Sequence, residues 1–335
     1  MSHPSKRLRV QTSDAEEAMN DHGGSTKTVV QDKEVWFPDG NIDIVAEGTV
    51  FRVHRNVLST HSEVFHDMLS IPQPTGTSDG AEHPIVEVSD TAEAIRHLLL
   101  VLYYCNPHFK AYEPAEYKVV SSLAHIAHKY QVKNALDDAM ARIKAYYPDD
   151  LKRFSRLESL DDEHGVDIPL ISDGLGDPVD VIRLARLVGD KSLLRPAFYR
   201  ACQLSPWMLM GKQSPTDDSY DASQRFSDAD LDRCIVGIAY LANARLWAQY
   251  YALNEPEGRP RRKCDCNHSV DAMQYAYLGD PPGPHVSCAA FERMDMEEWS
   301  RDLCGKCARE IDMRASEAHE IIWDTLPVVF GLGNT

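Results

Sequence analysis

The chain has 335 residues and a formal charge of −17, with 52 acidic against 35 basic side chains. That balance disfavours nucleic acid as the main partner, because phosphate binding needs clustered Lys and Arg. The length allows two or three domains with real cores. A hydrophobic content of 43% with mean hydropathy −0.39 is ordinary for a globular protein, and the longest apolar run, Leu98 to Cys105, is too short to span a bilayer. No basic region followed by an apolar stretch opens the sequence, so an intracellular setting, cytoplasm or nucleus, is expected.

Residues 1–32 are polar and carry no periodic face, which reads as a disordered tail tipped by a solvated basic run, Lys6-Arg-Leu-Arg9. A first domain is expected over 33–147. Val35-Trp36-Phe37 suggests a strand running into a Pro38-Asp39-Gly40 turn. Ile42, Ile44 and Ala46 then alternate with polar neighbours, and Val50 to Val53 follows Glu47-Gly48, an X-Gly pair that suits a tight hairpin. After Val53 the period lengthens to the helical one at Val57, Leu58, Phe65, Met68 and Leu69, with Ser59 and Ser62 available as caps. Residues 70–84 read as an exposed loop and Ile85-Val-Glu-Val88 as a further strand. Asp90 and Glu93 have capping-box spacing before a helix through Ile95 and Leu102, and two more helices run to Tyr146-Tyr147-Pro148.

The order hairpin, short helix, second helix, filled by Phe51, His54, Arg55, Val57, Leu58, Ser62, Phe65 and Met68, resembles the opening of a BTB/POZ domain. Further along, Leu303-Cys-Gly-Lys-Cys307, Trp323 and Leu326-Pro-Val-Val-Phe-Gly-Leu332 look like a group of BTB proteins expanded in mushroom-forming fungi. The resemblance implies an α+β fold, a small sheet capped by helices, and a protein-interaction module that associates with itself and does no catalysis. It also implies a charged pocket at a dimer interface, built from a buried Asp in the first hairpin strand and a basic residue after the second. Asn41 stands where that Asp is expected, so the pocket residues here are Asn41, His54 and Arg55, with Asp43 the nearest acid. A satisfied structural histidine is the plainer reading of His54.

Residues 148–256 read as an all-helical extension. Val179 to Val188 stops at Gly189, and Ser227 with Asp230 resembles a capping box for a long helix bearing Leu231, Cys234, Ile238, Leu241 and Leu246. Residues 257–335 hold five of the eight cysteines. Cys264-Asp-Cys266 and Cys304-Gly-Lys-Cys307 are two close pairs far apart in sequence, the pattern by which a chain builds a tetrahedral thiolate site. A structural zinc ion on Cys264, Cys266, Cys304 and Cys307 is therefore expected, with His268 and Cys288 as spare ligands. Reduced cysteines packing a helical cap are the alternative. A final amphipathic helix carries Ile311, Ala315, Ala318 and Ile322, and Pro327 is expected to close it.

His125 and His128 could share a helix face, and Arg259-Pro-Arg-Arg-Lys263 precedes the first cysteine pair. Neither stands in a recognisable site, and no nucleophile elbow, phosphate loop or HExxH motif occurs. The expected function is a homodimeric, non-catalytic interaction protein with an unidentified protein partner. An adaptor for a cullin-type ubiquitin ligase and a zinc-dependent nucleic-acid binder are the rival readings.

Overall fold

The computed structural model describes residues 9–11, 28–71, 83–104, 114–159, 177–212, 216, 225–254, 264, 266–279, 288–291, 294 and 303–333. They form two compact units that divide between Ala145 and Tyr146.

The first unit is built on a five-stranded sheet in the order β1-β2-β4-β3-β5. The strands are β1 (Arg9–Gln11), β2 (Thr28–Trp36), β3 (Ile42–Ala46), β4 (Thr49–Val53) and β5 (Ile85–Val88). β3 and β4 make the expected hairpin. Glu47 and Gly48 have φ of 47° and 81°, the pair of positive values that a primed two-residue turn needs. Glu47 gains a compensating contact there, since its carboxylate accepts from the Ala92 amide at 3.0 Å.

β2 extends into the stretch read from sequence as an unordered tail, and β1 lies wholly inside it. Pairing and one acid explain the order of β2. Val30 lies beside Thr49 and Gln31 beside Val50, and Val29 is buried with Val45 and Val50. Asp32, itself buried, accepts from the amides of Glu34 and Val35 at 2.9 and 2.8 Å and pairs with Arg96 at 2.7 Å.

The helices of this unit are α1 (Arg55–His61), α2 (Glu63–Ser70), α3 (Ala92–Tyr104), α4 (Tyr117–Lys129) and α5 (Lys133–Tyr146), the last residue of α5 belonging to the second unit. Their apolar faces bury Leu58, Phe65, Leu98, Leu123 and Ala139, and Phe51 and Ile44 of the sheet are buried as well. Ser62 is the cap that the sequence offered. Its hydroxyl accepts from the Phe65 amide at 3.0 Å and donates to the Tyr130 carbonyl at 2.5 Å, and the Phe65 and Tyr130 rings stack at 4.6 Å. The Asp90–Glu93 capping box does not form. Thr91 caps α3 through the Ala94 amide at 3.2 Å, and Asp90 instead holds Lys129 and the Tyr130 hydroxyl.

The second unit is helical: α6 (Leu151–Ser159), α7 (Pro178–Val188), α8 (Leu194–Ala201), α9 (Pro206–Leu209), α10 (Asp228–Leu253), α11 (Asn267–Gln274) and α12 (Gly305–Val329). Asp177 caps α7, Pro178 opens it, and Gly189 with φ of 74° ends it as expected. Ser227 caps α10 through the Asp230 amide at 3.2 Å. α10 buries Leu241 and a stripe of small residues, Gly237, Ala244, Ala248 and Ala252, against antiparallel α12. The expected helical extension and cysteine segment thus share one packed unit. Pro327 does not close α12, which runs on to Val329. The carbonyl that loses its intrahelical partner to Pro327 is that of Trp323, and Arg195 donates to it at 3.4 Å.

Candidate metal centre

The two cysteine pairs come together because α10, α11 and α12 converge. Cys266 immediately precedes α11, Cys304 is the N-cap of α12, and Cys307 lies in its first turn. Cys266 and Cys307 are buried in a cluster with Ala252, Leu253, Val270, Met273, Leu303 and Ile311, while Cys264 is half-buried and Cys304 exposed. This apolar packing fixes the two edges of a four-sulfur group.

The four Sγ atoms lie within 4.8 Å of one another, with Cys264 and Cys307 at 3.4 Å. A tetrahedral zinc with bonds of about 2.3 Å needs sulfurs about 3.8 Å apart, so the donor set fits such an ion in both chemistry and spacing. The Cys304 backbone amide donates to Cys266 Sγ at 3.2 Å, a bond that links the two cysteine pairs and orients one sulfur. Amides of the first turn of α12, Cys307 first, together with neighbouring thiols push the Cys304 thiol down to about 6. Burial and then the thiol of Cys264 push Cys307 the other way. Four thiols this close cannot all ionise without a cation between them.

The spare ligands fall outside the group. The Cys288 thiol points at the Ile238 carbonyl at 3.8 Å, and among the described residues no histidine joins a cluster of metal-ligating side chains.

Asn41, His54 and Arg55 do lie together, in an arrangement that sequence alone did not disclose. The Asn41 side chain is a backbone cap: its Oδ1 accepts from the Arg55 amide at 2.8 Å. The Arg55 guanidinium donates to the Leu69 carbonyl. His54 is held by the Tyr103 hydroxyl, which accepts from its amide at 2.7 Å and lies 3.1 Å from Nδ1, and its Nε2 is 3.3 Å from an Asp39 carboxylate oxygen. Asp43 is engaged elsewhere. It forms a two-bond pair with Arg52 at 2.9 and 3.1 Å, and that guanidinium lies 4.5 Å over the Trp36 ring. Sequence reasoning missed this pair, although a hairpin turning at 47–48 places residues 43 and 52 opposite each other.

A hairpin-led sheet bearing paired short helices, with a histidine and a capped helix start after its second strand, defines a small interaction module. Residues 40–145 match the family model of the BTB/POZ domain, and the chain carries that protein–protein interaction domain, followed by helices and a C-terminal cysteine cluster. No curated protein matches the chain. No helix among the described residues is long and apolar enough to cross a membrane.

Proposed function

We propose that the protein is an intracellular, non-catalytic interaction protein that associates with itself through its BTB domain and holds one structural zinc ion on Cys264, Cys266, Cys304 and Cys307. The family match over residues 40–145 supports the interaction role, and the seven described cysteines, none of them in a disulfide, suit a reducing compartment. The zinc reading rests on four sulfurs gathered within 4.8 Å at the junction of three helices. Four thiolates leave no open position for a substrate, so the ion would fasten α11 and α12 to the end of α10 and take no part in chemistry.

Asn41, His54 and Arg55 enter this reading as part of the self-association surface, with hydrogen bonds taking the place of the charge pair that the family pattern would put there. Sedimentation of the full chain should show an even-numbered particle at micromolar concentration. A monomer at every concentration would remove the self-association claim. Elemental analysis of protein purified without chelator should give about one zinc per chain. Replacing Cys304 and Cys307 by Ser should abolish it, and a double variant that keeps its metal would show the ligands to be misassigned.

A further inference from the structure

We propose that Cys304 is a site of oxidation by hydrogen peroxide, with Cys307 as its resolving thiol, and that the disulfide between them opens the four-sulfur group. The oxidation needs only the thiols. Its consequence, loss of the ion, rests on the zinc reading above.

Exposure singles out Cys304. Thiol oxidation follows exposure, so a purely structural site is safest with all four sulfurs buried. Here Cys266 and Cys307 are buried and Cys264 is half-buried, while Cys304 is the one exposed cysteine among the seven described. The group is also open on the Gly305 side. Among the described residues, a Cβ there would meet nothing beyond its own chain neighbours closer than Arg309 Nη1, at 3.7 Å.

The resolving thiol is equally well placed. Cys307 lies in the same first turn of α12, with only Gly305 and Lys306 between, so a bond to Cys304 moves no helix against another. All four Sγ atoms lie within 4.8 Å of one another. An oxidised Cys304 therefore meets a second sulfur before more peroxide can carry it to the irreversible sulfinic acid.

A cysteine bound to zinc is held as the thiolate, the form that attacks a peroxide. The Cys304 sulfur takes one peroxide oxygen. The S–O bond forms, the O–O bond breaks, and hydroxide leaves and takes a proton to become water. The Cys307 thiolate then attacks the Cys304 sulfur. The S–S bond forms, the S–O bond breaks, and a second hydroxide becomes water. Two thiolates have given up two electrons, and one peroxide with two protons has become two waters. Cys264 and Cys266 remain as donors, too few to close a tetrahedron.

The opening stays local. Gln274, at the end of α11, donates to Asn254 Oδ1 at 3.2 Å, and the Arg314 guanidinium of α12 donates to the Asn254 carbonyl. Both bonds lie beyond the sulfur group. They keep α11 and α12 on the end of α10 until a dithiol reductant restores the four donors.

The test uses the zinc-loaded full chain and an equimolar amount of hydrogen peroxide. Zinc released to a colorimetric chelator should approach about one ion per chain. Peptide mapping after alkylation should find the Cys304–Cys307 disulfide, with Cys202, Cys234 and Cys288 still reduced. Dithiothreitol with a zinc salt should reverse both changes. Gly305→Leu fills the open side without touching a ligand, so it should keep its zinc and release it several times more slowly. Should that variant fold poorly, the wild-type map decides alone. A chain that carries no zinc at the start overturns the metal reading and leaves the disulfide map to judge the oxidation. Oxidation that falls first on another cysteine, zinc released without the Cys304–Cys307 bond, zinc kept through the treatment, or a folded Gly305→Leu that reacts as fast as the wild type would each overturn the proposal.

Discussion

Gly237 shows how local preference and packing can oppose each other at one residue. In mid-helix an alanine would gain about 1 kcal/mol over glycine. A Cβ at this position, however, would stand within contact distance of the Phe330 ring and 2.8 Å from the Cys202 sulfur. Overpacking of this kind costs about 1–3 kcal/mol, so Gly237→Ala should lower the urea midpoint of the second unit. A second residue carries a pH dependence. Burial works against charge on Asp230, but hydrogen bonds from Arg186 and Ser227 and the charge of Arg233 outweigh it and hold its carboxyl below the usual range. A depressed carboxyl contributes stability that is present above its unfolded value, near ~3.9, and is lost as pH falls through the folded one. Asp230→Asn should therefore cost about 1–3 kcal/mol at neutral pH and lose less than the wild type does on acidification below about pH 4, measured by denaturant titration.

Among the elements, the hairpin, α1, α2, α7 and α10 were legible because each is announced by local chemistry: Glu47-Gly48, Ser62, Gly189, Ser227. β2 was not. Its residues Thr28 to Glu34 have no apolar period, and their order comes from neighbours distant in sequence, Thr49 and Val50 beside the strand and Arg96 on Asp32. A single sequence cannot display a partner 64 residues away. Asp32→Ala would leave two amides and a guanidinium without their shared acceptor and should cost about 2–4 kcal/mol. Hydrogen exchange should speed up first at Glu34 and Val35, and equal acceleration across the whole sheet would mean that the acid acts otherwise. The four cysteines were legible for the opposite reason, since close pairs carry their geometry in their spacing. That the Asn41 side chain would cap a backbone amide was hidden, because only the path of the turn after Phe37 brings it to α1.

At the scale of the whole molecule, two units with separate cores should unfold separately. Binding of an ion to the folded second unit alone adds to the stability of that unit by mass action, about 2.7 kcal/mol at a hundred times the dissociation constant. Chelation, or Cys304→Ser with Cys307→Ser, should then raise hydrogen exchange in 266–279 and 303–333 and leave 42–53 and 92–104 protected. Equal loss of protection in both units would show that they fold as one.

The cysteine cluster also joins two points of the chain that lie 38 residues apart, Cys266 and Cys304. Once its ends are pinned, a connecting stretch costs only about 0.6 kcal/mol more for each doubling of its length. Within the interval α11 is tied down by Val270 and Met273, and Phe291 by Trp323, so tolerance to a change of length belongs to the residues between those points. A joint of four sulfurs in this place separates what the chain must conserve from what it is at liberty to change.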